Sequence, residues 1–264
     1  KNKNKKLVSC IEIDIEKESG KITLTNDGNG IDVAMHPEEK IWIPEMIFGH
    51  LRTSTNYDKN EKKIVGGKNG FGFKLVLIWS KWGYIETVDH TRGLKYCQTF
   101  HDNLERIEAP VITKTTSKKA YTKVSFIPDF ARLGLTGFSN DMIDLMVKRV
   151  YDIGAVTDQS EKKIKVLLNN VTIPVKNFTQ YLDLYIGTKD ENKRVYESVN
   201  DRWEYAVALS PKHEFMQVSF VNGISTSKGG KHVDYILGQI VRKLCAYIEK
   251  KKKITCNPAT IKEQ

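Results

Sequence analysis

The chain has 264 residues, and 40% of them are hydrophobic, which is enough to bury the core of one large or two ordinary domains. Lysine and arginine outnumber aspartate and glutamate by 42 to 32, giving a formal net charge of +10 that favours polyanionic partners such as nucleic acids or nucleotides. No apolar run approaches the roughly 18 residues of a membrane span, and no signal-peptide core follows the polar start, so we expect an intracellular protein with no membrane partner.

The first elements of the chain predict a β-hairpin that ends in a polar turn. Apolar and polar residues alternate over 7–16 and again over 21–25, with Ser-Gly between them. Asn-Asp-Gly-Asn-Gly-Ile follows at 26–31. An amide and a carboxylate at a strand end suit recognition of the exocyclic amine of a base, whereas Asp-Gly and Asn-Gly are also ordinary turn dipeptides.

A short helix and a polar cluster come next. The helix is predicted to begin at Pro44, because proline is favoured in a first helical turn, and it extends to residue 51. Hydroxyl and amide side chains follow at Ser54, Thr55 and Asn56. Such clusters often cap helices, and the alternative is that they hold a ribose or a phosphate.

A glycine-rich stretch, Gly-Gly-Lys-Asn-Gly-Phe-Gly-Phe-Lys at residues 66–74, is the feature around which the chain is organised. Glycine permits positive φ and close approach of the backbone to a ligand, while successive N–H groups attract an anion. The stretch therefore predicts a phosphate-binding loop, although flexible surface turns also collect glycine. The apolar run at 75–79 is predicted to be the buried continuation of a helix that begins at this loop.

The remaining elements predict a mixed sheet with helices and a second domain. Strands are predicted at 84–89, 95–100 and 121–128, and an amphipathic helix capped at Ser139 is predicted at 140–153. A charged segment at 158–163 is a plausible domain boundary. Further strands are predicted beyond it at 165–168, 204–209 and 217–221.

A long amphipathic helix is predicted at 232–253. Its end carries four consecutive lysines, Lys250, Lys251, Lys252 and Lys253. They either complement the helix dipole as a solvated tail or bind phosphates of a nucleic acid.

Four blocks, at residues 26–31, 53–58, 66–74 and 218–235, together resemble the ATPase region of eukaryotic-type DNA topoisomerase II. The resemblance extends over nearly the whole chain, including 44–49 and 149–153. It implies an α+β fold in two parts. A GHKL (Bergerat) ATP-binding domain with a mixed sheet and helices would occupy residues 1–157, and a ribosomal-S5-like α+β transducer domain would occupy residues 158–264.

The resemblance also implies roles for individual residues. Asp27, or its neighbour Asn26, would face the adenine with support from Thr122, and Lys74 would neutralise the β- and γ-phosphates together with backbone N–H groups of the glycine loop. The lysine run 250–253 matches one that the family places near DNA. The predicted ATP-binding residues are Asn26, Asp27, Ser54, Thr55, Asn56, Gly67, Lys68, Asn69, Gly70, Phe71, Gly72, Phe73, Lys74 and Thr122.

Several features depart from the family pattern. In the family, the general-base glutamate and an asparagine that holds Mg²⁺ lie on a helix before the first hairpin, and a lysine that reaches the γ-phosphate lies on a loop beyond the transducer segment seen here. We therefore expect a piece of a longer protein with no catalytic base and no metal ligand of its own, unless Glu45 or Asp58 serves as base. Phe73 also replaces a small residue, and Lys68 replaces an arginine.

The function implied by the resemblance is the ATP-operated N-gate of a type IIA topoisomerase, with ATP and Mg²⁺ as cofactors and double-stranded DNA as partner. The gate would form a homodimer and pass one duplex through another. Its location would be the nucleus for a cellular enzyme, or the host cytoplasm or virion for a viral one. The alternatives are a GHKL chaperone or mismatch-repair ATPase, and a nucleic-acid-binding module with a vestigial glycine loop.

Overall fold

The computed structural model describes residues 6–50, 66–67, 70–157, 163–210 and 212–263. The chain divides into two compact units. The first consists of Lys1–Lys62 and Gly67–Lys176, and the second consists of Lys63–Gly66 and Asn177–Gln264.

A single mixed sheet is the framework of the first unit. Among the described residues its nine strands are β1 (Cys10–Glu16), β2 (Lys21–Asp27), β3 (Ser80–Asp89), β4 (Leu94–His101), β5 (Arg106–Ile107), β6 (Val111–Lys114), β7 (Tyr121–Pro128), β8 (Lys165–Leu168) and β9 (Val171–Thr172). They follow the order β5-β4-β3-β7-β2-β1-β8-β9, with β6 also paired to β4. Only the β1–β8 pair among them is parallel. The predicted mixed sheet is confirmed.

The helices of the first unit are α1 (Ile43–Gly49), α2 (Gly72–Ile78) and α3 (Asn140–Val156), and a short 3-10 helix spans Asp102–Leu104. Pro44 lies in the first turn of α1, as predicted. The predicted cap of α3 is also confirmed, because the Ser139 side chain accepts a hydrogen bond from the Met142 N–H at 3.2 Å.

Helices α1 and α2 cover one face of the sheet, which we call the core face. Phe48 of α1 and Leu77 of α2 pack there with Ile85, Phe100 and Val124 from three central strands. Alternation of side chains along each strand sends their neighbours to the opposite face, which we call the polar face. An antiparallel sheet with one covered and one solvated face has this pattern.

The apolar run at 75–79 is less buried than its composition predicts. Leu77 is 1% exposed, but Leu75 and Trp79 are 48% and 41% exposed. Successive residues of a helix are rotated by about 100°, so a run of five apolar residues cannot all face one sheet. The prediction of a buried run is therefore wrong for Leu75 and Trp79.

The two units divide at Lys176 and Asn177, whereas the sequence predicts a boundary at residues 157 and 158. The difference arises because β8 pairs in parallel with β1, from Cys10↔Lys165 to Ile13↔Leu168, and so extends the first sheet. The assignment of the units as an ATP-binding domain and a transducer stays a prediction.

The second unit contains helices and two separate hairpins. Its described elements are α4 (Phe178–Ile186), β10 (Arg194–Asn200), β11 (Trp203–Ala208), β12 (Phe220–Val221), β13 (Ile224–Ser225), α5 (Lys231–Lys252) and α6 (Pro258–Glu263). The long helix predicted at 232–253 corresponds to α5, which ends at Lys253 in the left-handed conformation. None of the helices in the described parts of the chain has the length and apolar character needed to cross a bilayer.

Candidate nucleotide site

Three polar residues form a row across three neighbouring strands. The antiparallel register places Asn26 of β2 opposite Thr122 of β7, and Thr122 opposite Thr87 of β3. Alternation along these strands assigns the three side chains to the core face, together with Val124 and Ile85. Two of the three residues, Asn26 and Thr122, belong to the predicted adenine side of the site.

Asn26 lies at the exposed end of this row. Its Nδ2 donates to the carbonyl oxygen of Asp27 at 2.8 Å. Because a carbonyl only accepts hydrogen bonds, this contact fixes the orientation of the amide and leaves Oδ1 as its acceptor.

The Asp27 carboxylate is hydrogen-bonded to the start of β1. It accepts hydrogen bonds from the Ser9 N–H at 2.6 Å, from the Cys10 N–H at 2.9 Å and from the Ser9 hydroxyl. These contacts hold the first two strands together at their ends. Of the two neighbours that the sequence names for the adenine side, Asn26 is therefore the one in the polar row.

Thr87 is fully buried and joins the row to the Gly-rich turn after β2. Its Oγ1 accepts from the Ile31 N–H and donates to the Tyr121 carbonyl oxygen, both at 2.9 Å, and lies 3.3 Å from the Thr122 Oγ1. A Cβ atom at Gly30, where φ is +72°, would collide with the backbone of β3. The turn therefore packs directly against this strand.

Asp89 holds the same turn one step further along the chain. Its buried carboxylate accepts from the Val33 N–H at 3.0 Å, from Thr91 Oγ1 at 2.6 Å and from Arg92 Nη1 at 2.7 Å. Burial alone raises the pKa of Asp89, but the hydrogen bonds from Thr91, Arg92 and the Val33 amide outweigh it and hold this pKa well below its ordinary value. The carboxylate is thus ionised at neutral pH.

Thr87 and Asp89 were not singled out by the sequence, although both lie in the predicted strand 84–89. The alternation of side chains along this strand could have identified Thr87. Thr87 follows Ile85 on the buried face of the strand, and a polar side chain on a buried face has to be hydrogen-bonded.

The glycine loop uses the conformational freedom of glycine at two positions. Gly67 and Gly70 have positive φ, +93° and +66°, as a tight turn requires. Gly66 and Gly72 do not, and Gly72 is already the first residue of α2. The turn that requires glycine is therefore formed at Gly67 and Gly70 and not at Gly66 or Gly72.

Phe71, Phe73 and Lys74 lie at the start of α2. The Phe73 ring makes edge-to-face contacts with Phe48 at 5.2 Å and with Phe126 at 6.0 Å between centroids, so it packs in the core. Phe71 is the N-cap residue. Lys74 is 3% exposed, and burial lowers the pKa of its ammonium group.

Five predicted site residues and one candidate base lie outside the described part of the chain. The site residues are Ser54, Thr55, Asn56, Lys68 and Asn69, and the candidate base is Asp58. Glu45, the other carboxylate considered as a base, accepts a hydrogen bond from Gln98 Nε2 at 2.9 Å. That contact attaches α1 to β4.

The lysine run lies in the second unit and is exposed throughout. Lys250, Lys251 and Lys252 form the last turn of α5, and Lys253 caps it with φ +57°. Cationic side chains at this position interact favourably with the helix dipole. The geometry is compatible with both interpretations of the run.

A separate groove of about 630 Å³ lies on the polar face of the sheet. Its lining includes Asp14, Glu16, Lys21, Lys123, Trp82 and Tyr84. None of the residues predicted from the sequence to bind ATP lines it, and its charges are mixed in sign. The polar row on the core face therefore stays the candidate site.

Comparison with known proteins places this fold in a family. The chain is 46% identical over 93% of its length to DNA topoisomerase 2 of Arabidopsis thaliana, and 44% identical over 98% of its length to DNA topoisomerase 2 of Acanthamoeba polyphaga mimivirus. It spans 17% and 21% of those two proteins. The family model described as DNA gyrase B matches residues 163–264.

Two solved structures have the same fold. One is the ATPase region of Saccharomyces cerevisiae topoisomerase II, with a TM-score of 0.84 and 42% identity, covering 92% of this chain and 63% of that one. The other contains the ATPase and transducer domains of DNA topoisomerase II from Balamuthia mandrillaris, with a TM-score of 0.88 and 39% identity, covering 97% and 65%.

The sequence matches and the mixed α+β fold define this chain as a homologue of the type II DNA topoisomerases. The predicted fold class is confirmed. Within that family, the chain corresponds to the ATPase region of eukaryotic-type DNA topoisomerase II.

The buried carboxylate of Asp89 gives a stability prediction. Asp89→Asn should lower the free energy of unfolding by about 2–3 kcal/mol at neutral pH, because its buried donors lose an ionised acceptor. The folded-state pKa of Asp89 lies below its unfolded value. The stabilisation is therefore complete above the ordinary carboxyl pKa and is lost as the pH falls from there towards the lowered value.

Denaturant unfolding of wild type and variant across this pH range measures the effect. The difference between them should shrink as the pH falls. Asp201→Asn, at an exposed position, is the matched control and should show little difference at any pH. A constant difference for Asp89→Asn would show that the charge of this group does not stabilise the turn.

Proposed function

We propose that this chain binds ATP on the core face of its first sheet. In the protein that carries the chain, binding and hydrolysis of ATP would drive dimerisation of a gate and passage of one DNA duplex through another. The observation that carries the proposal is the polar row, in which strand register brings Asn26 and Thr122 together beside the Gly-rich turn. The relatives named above supply the wider context.

The base would be recognised at the exposed end of the row. The Asn26 Oδ1 is an acceptor that an exocyclic amine can donate to, and Thr122 lies directly across the strand pair. The turn that follows is held rigidly by Thr87 and Asp89. A site held in position before binding loses less conformational entropy when a ligand arrives.

The phosphates would be held by the glycine loop. Gly67 and Gly70 already have the positive φ of a tight turn, and Gly72 has no neighbouring atom within 4 Å of the position of a Cβ. Lys74 supplies a full positive charge at the start of α2. Backbone donors and a cation that neutralise phosphate oxygens are what phosphoryl transfer requires of a protein.

Mg²⁺ is proposed only on the strength of the family resemblance. Among the described residues no three His, Cys, Asp or Glu side chains come together as a metal site. No residue in the described part of the chain is proposed as a ligand of the ion, and no step is assigned to it.

Double-stranded DNA and a second copy of the protein are the proposed partners. The net charge of +10 favours the former, and the exposed lysines at the end of α5 are the proposed contact. The relatives come from a plant and a virus among others. The location would be the nucleus for a cellular enzyme, and the host cytoplasm or virion for a viral one.

The glycine loop can be tested by substitution. Gly70→Val should abolish detectable ATP binding, because a β-branched side chain is strained at φ +66°. Gly72→Val has no such strain and meets no neighbour, so any loss of affinity there reports on approach of the ligand to the backbone. Gly137→Val, also in open space, is the control. A fluorescence binding assay that finds unchanged affinity for Gly70→Val would disprove the loop's role.

Lys74 can be tested by removing its charge. Lys74→Met keeps the packing of the stem and should weaken binding of ATP by about tenfold or more, while adenosine binding changes little. Because burial lowers the pKa of Lys74, wild-type affinity for ATP should also fall as rising pH deprotonates the ammonium group. The variant should lack this pH dependence. Equal losses for ATP and adenosine would mean that Lys74 acts through packing alone.

The lysine run can be tested through the salt dependence of DNA binding. Replacing all four with alanine should weaken binding and flatten the plot of log affinity against log salt, by up to about 0.9 in slope for each phosphate that is no longer neutralised. A variant in which the same number of charges is removed elsewhere is the control. Its positions are the exposed Lys118, Lys119, Lys189 and Lys193. An unaltered slope for the first variant would identify the run as a solvated helix end.

A further inference from the structure

The buried hydroxyl of Thr87 has all of its hydrogen-bonding capacity assigned by its surroundings. A threonine hydroxyl has one proton and two acceptor lone pairs. The Thr87 Oγ1 accepts from the Ile31 N–H at 2.9 Å, which occupies one lone pair, and it donates its proton to the Tyr121 carbonyl oxygen at 2.9 Å. Neither contact can be reversed, because an N–H only donates and a carbonyl only accepts.

The direction of the remaining contact follows. The Thr122 Oγ1 lies 3.3 Å from the Thr87 Oγ1, which has one lone pair left and no proton to offer. The Thr122 hydroxyl must therefore be the donor in this pair. The lone pairs of the Thr122 oxygen then point away from Thr87. Thr122 is therefore a hydrogen-bond acceptor for a ligand.

Asn26 lies on the other side of Thr122 and also offers a hydrogen-bond acceptor to a ligand. Its Nδ2 donates one of its two protons to the Asp27 carbonyl oxygen at 2.8 Å, which fixes the orientation of the amide and presents Oδ1 as an acceptor for a ligand. Two neighbouring residues of the row thus both offer acceptors. An amino group satisfies them, whereas a carbonyl oxygen in the same place would face their lone pairs without a proton between.

We propose that Thr87 determines the purine preference of this site by fixing the direction in which the Thr122 hydroxyl donates. Thr87 is a positioning residue, because it acts through Thr122 and does not itself reach the base. The group it selects is the 6-amino group of adenine, in preference to the 6-oxo group of hypoxanthine or guanine. This inference rests on the proposed ATP site at Asn26 and Thr122.

Inosine triphosphate is the appropriate probe, since it replaces the 6-amino group of ATP with a 6-oxo group and keeps the sugar and phosphates. Dissociation constants for ATP and inosine triphosphate would be measured by calorimetry with the protein that carries this chain. Wild type should prefer ATP. Thr87→Val frees the Thr122 hydroxyl to donate outwards, and the ratio of the two affinities should fall by about five- to tenfold.

Two further variants separate this role from a structural one. Thr87→Ser keeps the hydroxyl and should retain the wild-type preference, even if it lowers the melting temperature. Thr99→Val, on the neighbouring strand β4 and outside the row, should leave the preference unchanged. A structural defect would weaken both nucleotides equally, whereas the proposal requires the ratio to change.

The outcomes distinguish a failure of the proposed ATP site from a failure of the proposed role of Thr87. If wild type binds neither nucleotide, the proposed ATP site is wrong. If wild type prefers ATP and Thr87→Val keeps the same ratio, the role of Thr87 is wrong while the site stands. Should Thr87→Val fail to fold, Thr122→Val removes the hydroxyl whose direction Thr87 sets, and an unchanged ratio in that variant overturns the inference.

Discussion

The register of three antiparallel strands is the constraint on which the candidate site depends. It aligns Asn26, Thr122 and Thr87 in one row, although these residues are far apart in the sequence. A shift of one residue in any of the three strands would turn a member of the row to the opposite face of the sheet. Hydrophobic residues lie beside the row on the same core face. They oppose such a shift, because it would expose their side chains to solvent.

Buried polar groups then convert this alignment into a fixed site. Thr87 and Asp89 are 0% and 2% exposed, and each accepts a hydrogen bond from the backbone of the turn after β2. A buried polar group that loses its partner is costly, so the turn and the strand stabilise each other's position. The same contacts that hold the fold together therefore also set the direction of the hydrogen bonds that a ligand would meet.

Much of this could be predicted from local sequence, and the rest depends on distant contacts. The bounds of β7 and the cap of α3 follow from alternation and from Ser139. The pairing of β8 with β1 could not be predicted, because local periodicity contains no information about which distant strand lies alongside. For the same reason Asn26 and Thr122 were named as site residues through a resemblance, whereas Thr87, which connects them to the turn, was missed.

The most direct test of this account is a crystal structure of the protein that carries this chain, bound to a non-hydrolysable ATP analogue. The account predicts that the 6-amino group of the adenine lies about 3 Å from the Asn26 Oδ1, with Thr122 beside it on the core face. An adenine bound on the polar face of the sheet, or on the core face but away from Asn26 and Thr122, would contradict it.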